Sequence, residues 1–191
     1  MSGAAVILAA GESRRMGFPK ALLQYRGATF LDVLIGLLGA RCSPVIVVVG
    51  AYADRVREGA TRPATFVTNG DFQLGMTSSL QCGLRAVPAD ADGVLFTLVD
   101  HPAVAPATID ALLAQTATLV RVPCYRGQRG HPVWFSRALI PEFLALPETG
   151  AARDVVRAHA ADTTFLDLDD PGITADIDDP AAYRELTGAV L

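Results

Sequence analysis

The segment Leu8-Ala-Ala-Gly-Glu-Ser-Arg-Arg-Met-Gly-Phe-Pro-Lys20 concentrates residues that can do chemistry. Small residues at Ala9, Ala10 and Gly11 let a ligand ring approach the backbone, and exposed N–H groups there can bind an anion. Arg14, Arg15 and Lys20 follow, giving the loop a charge suited to a triphosphate. The same residues could instead form an ordinary solvated basic loop. There is no G-x-G-x-x-G pattern and no Gly-Lys-Ser/Thr at P-loop spacing, so the segment is neither a dinucleotide fingerprint nor a P-loop. Lys20 is the only lysine among sixteen Lys and Arg side chains. In an arginine-rich chain it is either a chance survivor or a compact ammonium that a planar guanidinium could not replace.

A second centre is Asp100, just past the apolar run Gly93–Val99. An acid there is a natural Mg²⁺ ligand, the alternative being a helix N-cap or turn residue. The neighbouring His101 is a poor ligand for magnesium, which prefers oxygen. Gly75 permits close approach, and Ser79 offers a donor and an acceptor at a helix start, where Ser78 and Ser79 could equally be caps. For the acidic stretch Asp167–Asp179, a solvated turn is one alternative.

These residues must be held by the elements around them. Ala4–Ala9, Pro44–Gly50, Ala64–Thr68 and Gly93–Val99 read as strands, nearly continuous in apolar character as parallel strands covered on both faces are. Thr29–Ala40, Ala53–Ala60, Thr77–Val87 and Pro106–Ala117 carry helical spacing, with Thr29 and Thr77 as N-caps. The alternation predicts an α/β fold: a doubly wound, mostly parallel, Rossmann-like sheet with helices on both faces and right-handed crossovers. The loop Leu8–Lys20 then leaves the carboxyl end of the first strand, where such sheets bind ligands. The second half is less regular. Leu119–Tyr125 and Pro132–Phe135 flank a turn, helices follow at Arg137–Leu146 and Ala151–Ala160, then a strand at Thr164–Leu168 and a helix Pro180–Leu186. It gives the sheet a mixed edge.

At 191 residues, 51% apolar and 19% charged, the chain fits one ordered domain. A net charge of −4 argues against a nucleic-acid groove or basic membrane surface. No membrane span or signal peptide is visible. Cys42, Cys82 and Cys124 have neither disulfide-framework nor zinc-knuckle spacing and read as reduced core thiols of a cytoplasmic protein.

The segment Leu8–Lys20 resembles the signature L-A-A-G-x-S-x-R-M-G-x-x-K of small nucleotidyltransferases similar to molybdenum-cofactor cytidylyltransferase. Leu8, Ala9, Ala10, Gly11, Ser13, Arg15, Met16, Gly17 and Lys20 match every fixed position. The resemblance implies that Ala9–Gly11 contact base and ribose while Arg15 and Lys20 hold the triphosphate. Asn69–Leu84 resembles N-x-x-W/F-x-x-G-M-x-x-S-L-x-x-G, which places Gly75 and Ser79 at the base. Leu98–Val104 resembles L-x-D-Q-P-x-V, with His101 where relatives carry Gln. Asp176–Tyr183 resembles D-I-D-T-P-E-D-Y/L, by which Asp178 supplies a second oxygen to the metal alongside Asp100. Gly130-His131-Pro132-Val133 matches G-H-P-V and implies His131 near the acceptor. Residues 1–104 would then bind nucleotide, and residues 105–191 would bind acceptor and supply the second metal acid.

The expected reaction is Mg²⁺-dependent transfer of CMP from CTP to a phosphorylated acceptor, molybdopterin by resemblance, with a molybdoenzyme as possible partner. Ala10, where guanylyl-transferring relatives carry Gly, narrows the base pocket in favour of cytosine. The alternatives are guanylyl transfer, a sugar- or alditol-phosphate acceptor, a dinucleotide-dependent oxidoreductase, and a non-catalytic carrier of a cofactor.

Overall fold

The computed structural model describes residues 3–114 and 118–189. In chain order the elements are β1 (Gly3–Ala9), β2 (Gln24–Tyr25), β3 (Ala28–Thr29), α1 (Phe30–Gly39), β4 (Val45–Val49), α2 (Ala53–Gly59), β5 (Thr65–Thr68), α3 (Met76–Arg85) and β6 (Gly93–Leu98). After these come α4 (Pro106–Ala114), β7 (Val120–Tyr125), β8 (Gln128–Arg129), β9 (Val133–Ser136), α5 (Ile140–Ala145), α6 (Ala152–Ala158), β10 (Thr163–Asp167) and α7 (Pro180–Thr187). The expected end of α4 at Ala117 lies outside the described residues.

One sheet runs β10-β7-β9-β6-β1-β4-β5, with β8 hairpinned onto β7. Strands β1, β4, β5 and β6 are mutually parallel, and β10 is parallel to β7. The sheet is therefore mostly parallel, as the alternation of apolar runs and helices requires. The mixed character of the second half comes from β9, which lies antiparallel to both β6 and β7. Among the short pieces that escaped the sequence are the β2–β3 hairpin and the 3-10 turns Lys20–Leu22, Phe72–Leu74 and Pro171–Ile173.

Period-2 alternation splits the core. Ala5, Ile7 and Ala9 of β1 join Val45, Val47 and Val49 of β4 under α1, while Val6 and Leu8 join Ile46 and Val48 under α3. Helix α1 begins as its sequence predicts, the Thr29 hydroxyl accepting from the Asp32 N–H at 3.0 Å. Helix α3 does not. Its N-cap is Gly75, at φ 102°, a backbone conformation only glycine adopts without strain. Thr77 sits inside the first turn and donates to the Gly150 carbonyl at 2.6 Å. Cys42 and Cys124 are buried free thiols, whereas Cys82 is only part-buried rather than a core thiol. Among the described residues no helix is long and apolar enough to cross a membrane.

Candidate active site at the carboxyl ends of the parallel strands

The chain fills β4 and β5 on one side of β1 and then returns to β6 on the other. That reversal opens a crevice beyond the carboxyl ends of β1 and β6, where doubly wound sheets bind ligands. A cleft of about 500 Å³ occupies it. Leu8, Ala9, Ala10, Gly11, Ser13, Arg15, Lys20, Gly75, Ser79, Asp100 and Asp178 all line it. Segments that lie far apart in sequence thus meet around one cavity. Tyr52, Phe72 and Met76 add an apolar rim that the sequence patterns did not single out.

The basic loop is built rather than loose. Ser13 takes φ 49°, and its carbonyl accepts from the N–H groups of Met16 and Gly17 at 3.0 and 3.1 Å. Met16 is buried in the core, and the Lys20 N–H donates to the Ser13 hydroxyl at 3.2 Å. Ser13 therefore closes both ends of the loop, and Met16 pins its middle. Arg14 points outward and pairs with Glu12.

Lys20 reaches the cleft floor with its side chain 12% exposed. It donates to Asp100 at 2.9 Å and to Asp178, which also accepts from Arg15. Burial opposes the Lys20 charge, but Asp100 and Asp178 outweigh it and raise the ammonium above its ordinary value. The Asp178 carboxyl is correspondingly lowered, chiefly by the Lys20 hydrogen bond.

Behind this charge cluster, Asp176, Ile177 and Asp178 alternate in burial, Ile177 buried between two more accessible acids. Ile177 turns into the core, and its N–H donates to the Asp100 carbonyl at 3.1 Å. The two acids flanking it face the other way. Burial, with the neighbouring Asp100 and Asp178 carboxylates, pushes Asp176 up to about 6. Asp100 Oδ1 is enclosed without a hydrogen-bond partner among the described residues. Ligand atoms of Asp100, His101 and Asp176 lie within 4.8 Å of one another, a set able to hold a metal ion. The sequence pointed to Asp100 and Asp178; the structure puts Asp176 nearer Asp100 and engages Asp178 with Lys20 and Arg15. The i, i+2 spacing of Asp176 and Asp178 about a buried Ile177 was the available signal.

His131 does not line the cleft. Its ring lies against His101 and Phe96, with centroids at 5.1 and 5.3 Å, and burial drives its pKa down to about 4. Ser79, by contrast, is aimed by a residue not singled out before. The Asn69 amide donates to the hydroxyls of Ser78 and Ser79 at 2.9 and 3.0 Å, orienting both at the start of α3.

A doubly wound sheet, a cation-bearing loop after β1 and acids beyond β6 together define a nucleotide-binding transferase of the α/β class. The model of the MobA-like NTP transferase domain matches residues 5–163, and the chain belongs to that family of nucleotidyltransferases. It is 32% identical to nicotine blue oxidoreductase of Paenarthrobacter nicotinovorans, over 91% of this chain and 90% of that one. It is 31% identical to a probable molybdenum cofactor guanylyltransferase of Mycobacterium avium, over 99% and 97% of the two chains. Against the molybdenum cofactor cytidylyltransferase of Escherichia coli the identity is 25%, over 92% and 90%. A Mycobacterium tuberculosis protein solved in complex with manganese is 30% identical over the whole of both chains, with a TM-score of 0.83.

Proposed function

We propose that the chain transfers CMP from CTP to a phosphorylated acceptor, molybdopterin, and releases pyrophosphate. The observation that carries this reading is the position of Lys20, whose ammonium sits beside two carboxylates in the cleft walled by Ala9–Gly11. An acceptor phosphate oxygen forms a bond to the α-phosphorus in line, and the bond from that phosphorus to the bridging oxygen of pyrophosphate breaks. Such chemistry depends on positioning and charge neutralisation more than on covalent catalysis. Phosphate oxygens entering the cleft compete with Asp178 for Lys20 and Arg15. The two cations then bear charge developing on the α- and β-phosphates, and the Asp178 carboxylate is released. Ser13 and the backbone of Leu8–Gly11 hold the nucleotide, and Gly75 and Ser79 approach the base.

A divalent cation, Mg²⁺ in this reading, fits the acid set. Asp100 offers an enclosed, unpartnered oxygen, and the mutual repulsion of Asp176 with Asp100 and Asp178 calls for positive charge between them. Asp100 and Asp178, the latter once freed from Lys20, would hold it with Asp176 beside them. When bound, it neutralises phosphate charge and orients the reacting groups. An acceptor phosphate is already ionised at neutral pH and needs no general base. Residues 1–104 serve the nucleotide. Residues 105–191 serve the acceptor, with His131 reaching that side only through His101, and the product passes to a molybdoenzyme.

Cytosine is favoured over guanine because Ala10 is a buried part of the cleft wall packed against Gly50, so its methyl takes space that a glycine would leave. The test offers CTP, GTP, ATP and UTP in turn with molybdopterin or a panel of sugar phosphates and follows pyrophosphate release. CTP with molybdopterin should lead, by roughly ten- to two-hundredfold over GTP, the discrimination a pocket-size difference provides. Equal use of GTP removes the base assignment, and a faster sugar phosphate removes the acceptor.

A further inference from the structure

His101 enters the acid cluster as a nitrogen donor, where the resembling pattern carries an amide. Its side chain is 6% exposed, and Nε2 lies 3.8 Å from Asp100 Oδ1, the oxygen that has no hydrogen-bond partner among the described residues. The ring packs against His131, and His101 Nδ1 has no hydrogen-bond partner among the described residues. A backbone hydrogen bond with Gly172 also engages the imidazole, which is thus fixed in place beside Asp100. Two ligand atoms each about 2.1 Å from a shared ion can stand up to about 4.2 Å apart, so 3.8 Å admits one ion between Nε2 and Oδ1. Asp176 supplies the third atom within 4.8 Å, and its carboxylate is exposed enough to rotate inward.

We infer that His101 is a ligand of the divalent cation and tunes this site toward Mn²⁺ over Mg²⁺. Magnesium takes oxygen ligands almost exclusively, whereas Mn²⁺, although it also favours oxygen, lies above Mg²⁺ in softness and accepts an imidazole nitrogen. A site that adds the His101 nitrogen to its carboxylates therefore binds Mn²⁺ more tightly than an all-oxygen set would, and gains little with Mg²⁺. The inference rests on the proposed cation site but not on the identity of nucleotide or acceptor.

The test titrates the whole protein with Mn²⁺ alone and reads binding by electron paramagnetic resonance, with pulsed measurement of nitrogen coupling to the bound ion. Wild type should bind Mn²⁺ about tenfold or more tighter than Mg²⁺, measured by competition, and should show a directly coordinated imidazole nitrogen. H101Q should lose that coupling and most of the preference while still binding a divalent ion through Asp100. Bound Mn²⁺ without nitrogen coupling in wild type overturns the inference, with no variant needed. So does an unchanged Mn²⁺-to-Mg²⁺ ratio in folded H101Q, or no Mn²⁺ binding at all. Pyrophosphate release by wild type in Mg²⁺ is measured separately. Its presence without nitrogen coupling leaves the transferase reading standing and removes only His101.

Discussion

Lys20 holds two roles in one ammonium. It neutralises Asp100 and Asp178, and in the proposed reaction it would turn to phosphate. Lys20→Ala should lower kcat by roughly 10²–10³, about 2.7–4 kcal/mol, the scale of losing one charge-stabilising donor. KM for CTP should move less, because Arg14 and Arg15 still attract the triphosphate. Lys20→Arg should restore only part of the rate, since a planar fork does not fit a point-charge site between two carboxylates. Steady-state kinetics on the three proteins decides this, and full activity in Lys20→Ala would remove the residue from the mechanism. Ala10→Gly belongs to the same scale. It should relax the CTP-over-GTP ratio of kcat/KM, and an unchanged ratio would show that the methyl does not set the pocket. Lys20, Asp100 and the Ala9–Gly11 turn were legible because a local pattern of charge and small residues betrays them. The meeting of Asp176 with Asp100 and His101 was not, because it is an encounter across the fold, invisible to local spacing.

Two elements fix where those residues stand. Helix α3 lies close on the sheet at Gly83, where an added Cβ would meet Val6 Cγ1 at 2.7 Å and Val48 Cγ2 at 2.8 Å. Gly83→Ala should therefore cost about 1–3 kcal/mol and push the helix outward. Ser79 moves with it, so KM for CTP should rise along with a lower Tm; a lower Tm at unchanged KM would detach Ser79 from the nucleotide. At the other face, Asp32 ties the start of α1 to the loop after α2. Its carboxylate accepts from the Thr61 and Arg62 N–H groups, each at 3.0 Å, and from the Thr29 and Thr61 hydroxyls, each at 2.9 Å. Burial disfavours its charge, but these donors outweigh burial and hold the carboxyl below its ordinary value of 3.8. On acidification the unfolded chain takes up this proton first. The stability Asp32 contributes is thus complete above the unfolded value and is lost as pH falls through the folded one. Urea midpoints of Asp32→Asn should show a loss of about 1–3 kcal/mol near neutrality and a shallower decline toward acid. An equally steep acid limb would place that pH dependence elsewhere. The Thr29 cap was readable in sequence because its side chain acts on its own helix. Thr77 misled because its hydroxyl was drawn away to Gly150, a partner seventy-three positions along the chain.

At the scale of the molecule, the sheet order turns separate motifs into one cavity. The strand-and-helix alternation made the parallel core predictable, since each crossover follows from burial on both faces. The insertion of antiparallel β9 between β6 and β7 was not, because pairing partners carry no mark in a four-residue apolar strand. That insertion carries the Gly130–Val133 segment in beside His101, which is why His131 packs on the His101 ring instead of facing the cleft. Nucleotide bound at the carboxyl ends of β1 and β6 should stabilise the whole fold by mass action, about 2.7 kcal/mol at a hundredfold excess over Kd. CMP transfer is followed most directly by a label on the α-phosphate of CTP, incubated with the protein, Mg²⁺ and molybdopterin. The label should move to molybdopterin while unlabelled pyrophosphate appears in equal amount, and Asp100→Asn should abolish both. Label remaining in CTP, or released only as free CMP with no labelled acceptor, would contradict that transfer.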